Sequence, residues 1–133
     1  MTVEAIANMR LDKIRLKKII QRLNEELGPG LVSRAASDKG YFMSIEWCSY
    51  GAGHAEPTAT EEVKILALAT TWEALSRFGS SNALDWLQNS NSLLDSESPI
   101  EVLSKGHFED FDNAFEAQLN EIRDVRLKRG FAA

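Results

Sequence analysis

Side chains that could do covalent or acid–base chemistry are few in this chain and poorly placed for it. Two histidines, His54 and His107, and a single cysteine, Cys48, lie in different segments. No His-x-x-x-His, Cys-x-x-Cys or Gly-x-Ser-x-Gly arrangement brings ligands or a nucleophile together. Asp85, Asp95, Glu97, Glu109, Asp110 and Asp112 offer carboxylates, but scattered acids of this kind are what a solvated surface requires. His107 reads as a cap or surface residue, and Cys48 as a small core residue. Gly51 and Gly53 lack the strand–glycine–helix context of a phosphate-cradling loop. No catalytic residue, metal ligand or cofactor site is therefore expected, and the chemistry left is that of surfaces.

Cations concentrate in two places. One is the polar side of a helix read over Leu11 to Leu27, where Arg10, Lys13, Arg15, Lys17, Lys18 and Arg22 oppose the apolar stripe of Leu16, Ile19, Ile20, Leu23 and Leu27. Such a face is either simply solvated or tracks a nucleic-acid backbone, with Lys13, Lys17 and Lys18 as phosphate contacts. The other is the C-terminal run of Arg123, Arg126, Lys128 and Arg129 ahead of Phe131, which is either a frayed basic terminus or a segment that reaches an anionic site.

The elements that must position these groups are legible from spacing and end signals. Gly28-Pro29-Gly30 ends the first helix, Leu31 to Ala36 reads as a short second one, and Ser37 to Gly40 is turn chemistry. Thr58 or Thr60 caps a long helix with Glu61 and Glu62 at its positive end, and Val63, Ile65, Leu66, Leu68, Trp72, Leu75 and Phe78 follow before Gly79. This is the most apolar helix and is expected to be a central strut buried on two sides. Ser80 to Leu119 then reads as three short helices. The first is capped by Ser81 and stopped by Asn89 to Asn91. The second opens at Ser98-Pro99-Ile100-Glu101 and stops at Gly106 after Lys105. The third carries Phe108, Phe111, Phe115, Leu119 and Ile122 on one face. An apolar stripe of three phenylalanines normally packs inward, although it also makes a committed docking surface.

The order Ala83, Leu84, Trp86, Leu87, then Asn91 and Leu94, then Pro99, Ile100, Leu103, Gly106 and Phe108 resembles the C-terminal toxin-binding domain of the Xre/MbcA/ParS-type antitoxins. One departure is that such domains commonly carry glycine after the leucine preceding the Ser-Pro turn, where this chain has Asp95 and Ser96. Leu27, Gly28, Leu31, Ala35, Ile45, Trp47, Gly51 or Gly53, and Pro57 resemble the helix-turn-helix region that precedes that domain. The Tyr41 to Tyr50 stretch nevertheless lacks the Arg and Lys of a base-reading helix. The resemblance implies an antitoxin that binds a RES-domain, NAD-consuming toxin and covers its active site. Trp86, Leu87, Ile100, Phe108 and Phe111 would form the platform, and Arg123, Arg126, Lys128 and Arg129 the reaching segment. It further implies DNA-binding autoregulation. The competing reading is a helix-turn-helix DNA-binding transcriptional regulator without a toxin partner. Operator DNA and a homodimer with a second copy are the other partners open to the chain.

Composition bounds these readings. At 133 residues the chain supports one small unit or two intimately packed halves. The expected fold is all-α, a bundle of about six to seven helices. Residues 1–79 would form a degenerate helix-turn-helix half that includes the central helix, and residues 80–133 a three-helix toxin-binding half with a basic tail. One cysteine excludes an internal disulfide, no basic-plus-apolar leader opens the chain, and no apolar run reaches membrane-spanning length, so a cytoplasmic location is expected. A formal net charge of −5 opposes indiscriminate nucleic-acid binding. If duplex DNA is bound through the first helix, charge reversal of Lys13, Lys17 and Lys18 weakens binding alike for all sequences and flattens its salt dependence. Titration of labelled duplex at several salt concentrations checks this, and unchanged binding removes the helix from the interface.

Overall fold

The computed structural model describes residues 13–37 and 57–128, and among these residues there are six α-helices and one 3-10 turn. In chain order they are α1 (Lys13–Leu27), α2 (Pro29–Ala36), α3 (Ala59–Ser76), α4 (Ser80–Gln88), the 3-10 turn (Ser92–Leu94), α5 (Pro99–Ser104) and α6 (Phe108–Lys128). No strand occurs among the described residues, so the all-α expectation of about six helices holds. No described helix is long and apolar enough to cross a membrane. The Tyr41 to Tyr50 segment, Cys48, the Gly51 and Gly53 pair and His54 lie outside the described residues.

Local sequence sets most of the ends. Thr58 is the cap of α3. Its hydroxyl accepts from the Glu61 backbone N–H at 3.1 Å while the Glu61 carboxylate accepts from the Thr58 N–H at 2.8 Å, so two otherwise orphaned donors are satisfied reciprocally. At α5, Ser98 accepts from the Glu101 N–H at 3.2 Å and Pro99 occupies the first helical position. Gly106, at φ 78°, ends α5 in a Schellman motif, in which His107 N–H reaches the Val102 carbonyl and Gly106 N–H the Leu103 carbonyl.

Three boundaries differ from the sequence expectation. The second helix begins at Pro29 rather than Leu31, because proline there lacks only an N–H that a first helical turn leaves unbonded anyway. α4 begins at Ser80 with Gly79 as its cap, so Ser81 lies inside the first turn and caps nothing. Gly79 has φ 131°, a conformation that only glycine adopts freely, and it redirects the chain between α3 and α4. α6 continues through Arg123 to Lys128, so that part of the expected basic tail is helical.

α3 is the strut. Lys64, Ile65, Leu66, Ala67 and Leu68 are consecutive and all buried, so every face of the helix is covered over that turn. α1, α2 and α4 pack on it, while α2 also packs on α5 and α5 on α6. One core cluster, running from Leu16, Ile20 and Val32 through Ile65 and Leu68 to Leu87, Ile100, Leu103 and Phe111, therefore crosses Gly79 without interruption.

Lys64 is the one buried cation among the described residues, with 3% of its surface exposed, and its ammonium donates to the Ser104 carbonyl oxygen at 2.8 Å. That carbonyl is one of the groups that the end of α5 leaves without an intrahelical partner, so Lys64 completes what the Schellman motif begins. Lys64→Met keeps the length and leaves the carbonyl unpaired, and the expected cost is about 1–3 kcal/mol of unfolding free energy. Urea unfolding measures it. A variant as stable as the parent would show that the contact adds nothing.

Candidate functional site

Of the residues singled out in the C-terminal region, Trp86 and Phe111 are in direct contact. Trp86 lies on α4, half-buried, with its ring edge-on to Phe111 of α6 at a centroid distance of 6.3 Å and an interplanar angle of 61°. This geometry suits the ring quadrupoles, and it leaves part of the indole facing outwards. An open groove of about 710 Å³ lies between the later turns of α6 and the α3–α4 corner. Leu75, Phe78, Ala83, Trp86, Ile122 and Val125 provide its apolar lining, and Arg77, Asp85 and Glu121 carry charge at its rim.

The five residues expected to form an apolar platform do not share one exposure. Leu87, Ile100 and Phe111 are wholly buried, with Phe111 at 0% exposure, so these three are core and cannot touch a partner while the fold is closed. The physical reason is the ordinary one for a stripe at helical spacing: Phe111, Ala114 and Phe115 face inward against α5 and the 3-10 turn. Trp86 and Phe108 are half-buried and retain contact surface. Of the basic run, Arg123 is exposed. Arg126 and Lys128 are placed as positions on α6 only, and Arg129 lies outside the described residues.

The cations of α1 that the sequence singled out are described only in part. Lys18 is exposed and Lys17 half-buried on α1, Lys13 is the first helical position, and Arg22 is held by Glu26 at 3.0 Å. Glu26 also accepts from the Trp72 indole N–H at 3.3 Å, which ties α1 to the strut.

Among the described residues the acidic groups and His107 form no cluster of three or more. Asp85, Asp95, Glu109 and Asp110 are exposed, and no group of three or more His, Cys, Asp or Glu among the described residues could hold a metal ion. Glu97 bonds the Lys105 ammonium instead, and that bond holds the lysine above its ordinary pKa. His107 is exposed at the junction of α5 and α6, and its N–H belongs to the Schellman motif.

A feature that the sequence signals only as a helix break is the hub at Asn91. Its side-chain oxygen accepts from the Leu93 N–H at 2.9 Å, its carbonyl from the Leu94 and Ser96 N–H groups, and its own N–H donates to the Glu97 carbonyl at 3.0 Å. The chain between is forced into two successive left-handed residues, Asp95 at φ 53° and Ser96 at φ 67°. These are the two residues that stand where the resembled domains commonly carry glycine. Leu93 is presented outward on this turn.

Comparison of the chain with protein-family models, with curated proteins and with solved structures found no match.

The left-handed pair generates a stability test. A side chain in that region costs roughly 1–2 kcal/mol, less for Asp, and glycine removes the clash while adding unfolded-state freedom. Ser96→Gly keeps the N–H bond to Asn91 and is expected to raise stability by up to about 1 kcal/mol. Thermal unfolding reads this as a higher Tm, and a lowered one would mean that the Ser96 side chain is itself a stabilising contact.

Proposed function

We propose that this chain is the antitoxin of a type II toxin–antitoxin pair, of the Xre/MbcA/ParS type, which binds a RES-domain, NAD-consuming toxin and covers its active site. The observation that carries the reading is the turn before α5. The resembled domains commonly use glycine after the leucine that precedes the Ser-Pro helix start, and the residues of this chain at that place, Asp95 and Ser96, are both in the conformation glycine favours. The backbone requirement is thus kept where the residue type is not. The other residues of the resemblance also have distinct duties in one continuous unit. Trp86 stacks edge-on against α6, Asn91 organises the turn, Pro99 opens α5 and Gly106 closes it.

In this reading the toxin docks on the half-exposed Trp86 and Phe108, supported from beneath by the buried Leu87, Ile100 and Phe111. The C-terminal half of α6 then reaches over the toxin's NAD pocket. Guanidinium groups on that arm suit an anion-binding approach, because their planar fork pairs with phosphate oxygens. Regulation of the chain's own transcription through the cationic face of α1 is a subsidiary part of the proposal.

Docking and inhibition are separable. Deleting residues 126–133 leaves every described core residue in place, so the truncated chain is expected to fold and to keep pulling down the toxin encoded in the adjacent open reading frame. Inhibition of NAD consumption is expected to fall more than binding does. Both are measured on the same truncated protein. Full inhibition by that protein would rule out the reaching arm and leave coverage by the helices themselves, whereas loss of toxin capture by the intact chain would remove the antitoxin reading.

A further inference from the structure

Two open hollows lie against the same side of α6. Ala114, Ala117, Gln118 and Glu121 line the first, with Leu93 of the 3-10 turn on its other wall. Gln118, Glu121, Ile122 and Val125 line the second, with Trp86 of α4 on its other wall. Spacings of three and four put these α6 residues on one helical face, and Gln118 and Glu121 belong to both sets, so the hollows are consecutive stretches of one channel. From Ala114 to Val125 it runs about 16 Å at 1.5 Å per residue, roughly three turns of a helix.

Its walls combine fixed apolar anchors with uncompensated negative charge. Leu93 is 66% exposed, on a turn that Asn91 fastens with four hydrogen bonds and that continues into the left-handed Asp95 and Ser96. Strain kept beside an exposed leucine marks a side chain that is held out rather than left over. Trp86 and Phe78, on the walls of the second hollow, are half-buried. Asp85 and Glu121 form no ion pair among the described residues, whereas Arg77, the one cation among the described residues lining either hollow, is bound to Glu73 at 3.1 Å. An uncharged partner would desolvate these carboxylates without return, and a cationic one offsets that cost.

We propose that the channel seats an amphipathic, cationic helix of a partner protein, with its apolar stripe on Leu93, Trp86 and Phe78 and a Lys or Arg against Glu121 and Asp85. The inference deepens the antitoxin reading by giving the chemistry of the segment that the toxin offers, and for the toxin's part it rests on that reading. It adds Leu93 and Glu121 to the docking surface.

The probe is a labelled synthetic peptide of leucine and lysine, with leucine on one helical face, beside a second peptide in which every lysine is glutamate. Fluorescence anisotropy against the full chain is expected to show saturable binding of the lysine peptide and binding of the glutamate peptide weaker by about tenfold or more. Leu93→Ala and Glu121→Lys, both at exposed positions and checked for helicity by circular dichroism, are each expected to weaken the lysine peptide by about fivefold or more. Glu116→Lys, exposed on α6 but lining neither hollow, makes the same change in net charge and is expected to leave binding unchanged. Equal losses from Glu121→Lys and Glu116→Lys mean attraction to net charge alone and overturn the inference, as does indifference to Leu93→Ala. So does binding seen only after residues 126–133 are deleted, which puts this chain's own end in the channel, or a parent dimer that Leu93→Ala disperses, which puts a second copy there. No toxin enters the measurement, so peptide binding beside failed toxin capture removes the antitoxin reading alone, and toxin capture beside absent peptide binding removes the channel alone.

Discussion

A buried ammonium ties the central helix of this chain to a short helix forty residues on. Lys64 sits on the strut, and the carbonyl it satisfies belongs to Ser104, the last residue of α5. A cation is tolerated in a core only where its donors are used, and the negative end of a helix is the least costly place to use them. The contact therefore ties the end of α5 to α3, and α5 in turn packs against α2, α4 and α6. Displacing it would disturb the support beneath Trp86 as much as the packing of the N-terminal helices.

Helix existence and most helix stops were legible because they depend on neighbours in sequence. The Thr58–Glu61 box, the Ser98-Pro99 start and the Gly106 stop are local hydrogen-bond requirements, and each stands where the residue types place it. Lys64 was not legible as a structural cation, because its partner is forty residues away and nothing near it signals burial. The Asn91 hub was legible only as a helix break, since its four bonds depend on how the chain folds back from Glu97.

The candidate site shows the same division in sharper form. Helical spacing placed Phe108, Phe111 and Phe115 on one face, but periodicity alone does not say whether a face meets the core or a partner. Phe111 and Phe115 turn inward, whereas Trp86, from a shorter helix with no stripe as marked, keeps an open edge. Exposure at Ile14 and Val125 was likewise invisible. Both continue apolar series whose earlier or later members are buried, so the pattern passes smoothly through the point where the covering ends.

The long terminal helix has two unequal supports along its length. Phe111, Ala114 and Phe115 are locked into the core, while Glu121, Arg123, Asp124 and Val125 are exposed. Opening free energy follows burial, so backbone amides in the first three turns exchange with solvent only on rare large openings and those beyond Ile122 exchange on frequent local ones. One continuous helix thus holds both a rigid hinge-post and an end whose order is inexpensive to gain or lose. Whatever settles over that end slows its exchange without altering that of the anchored turns, giving the molecule a built-in internal reference for its own occupancy.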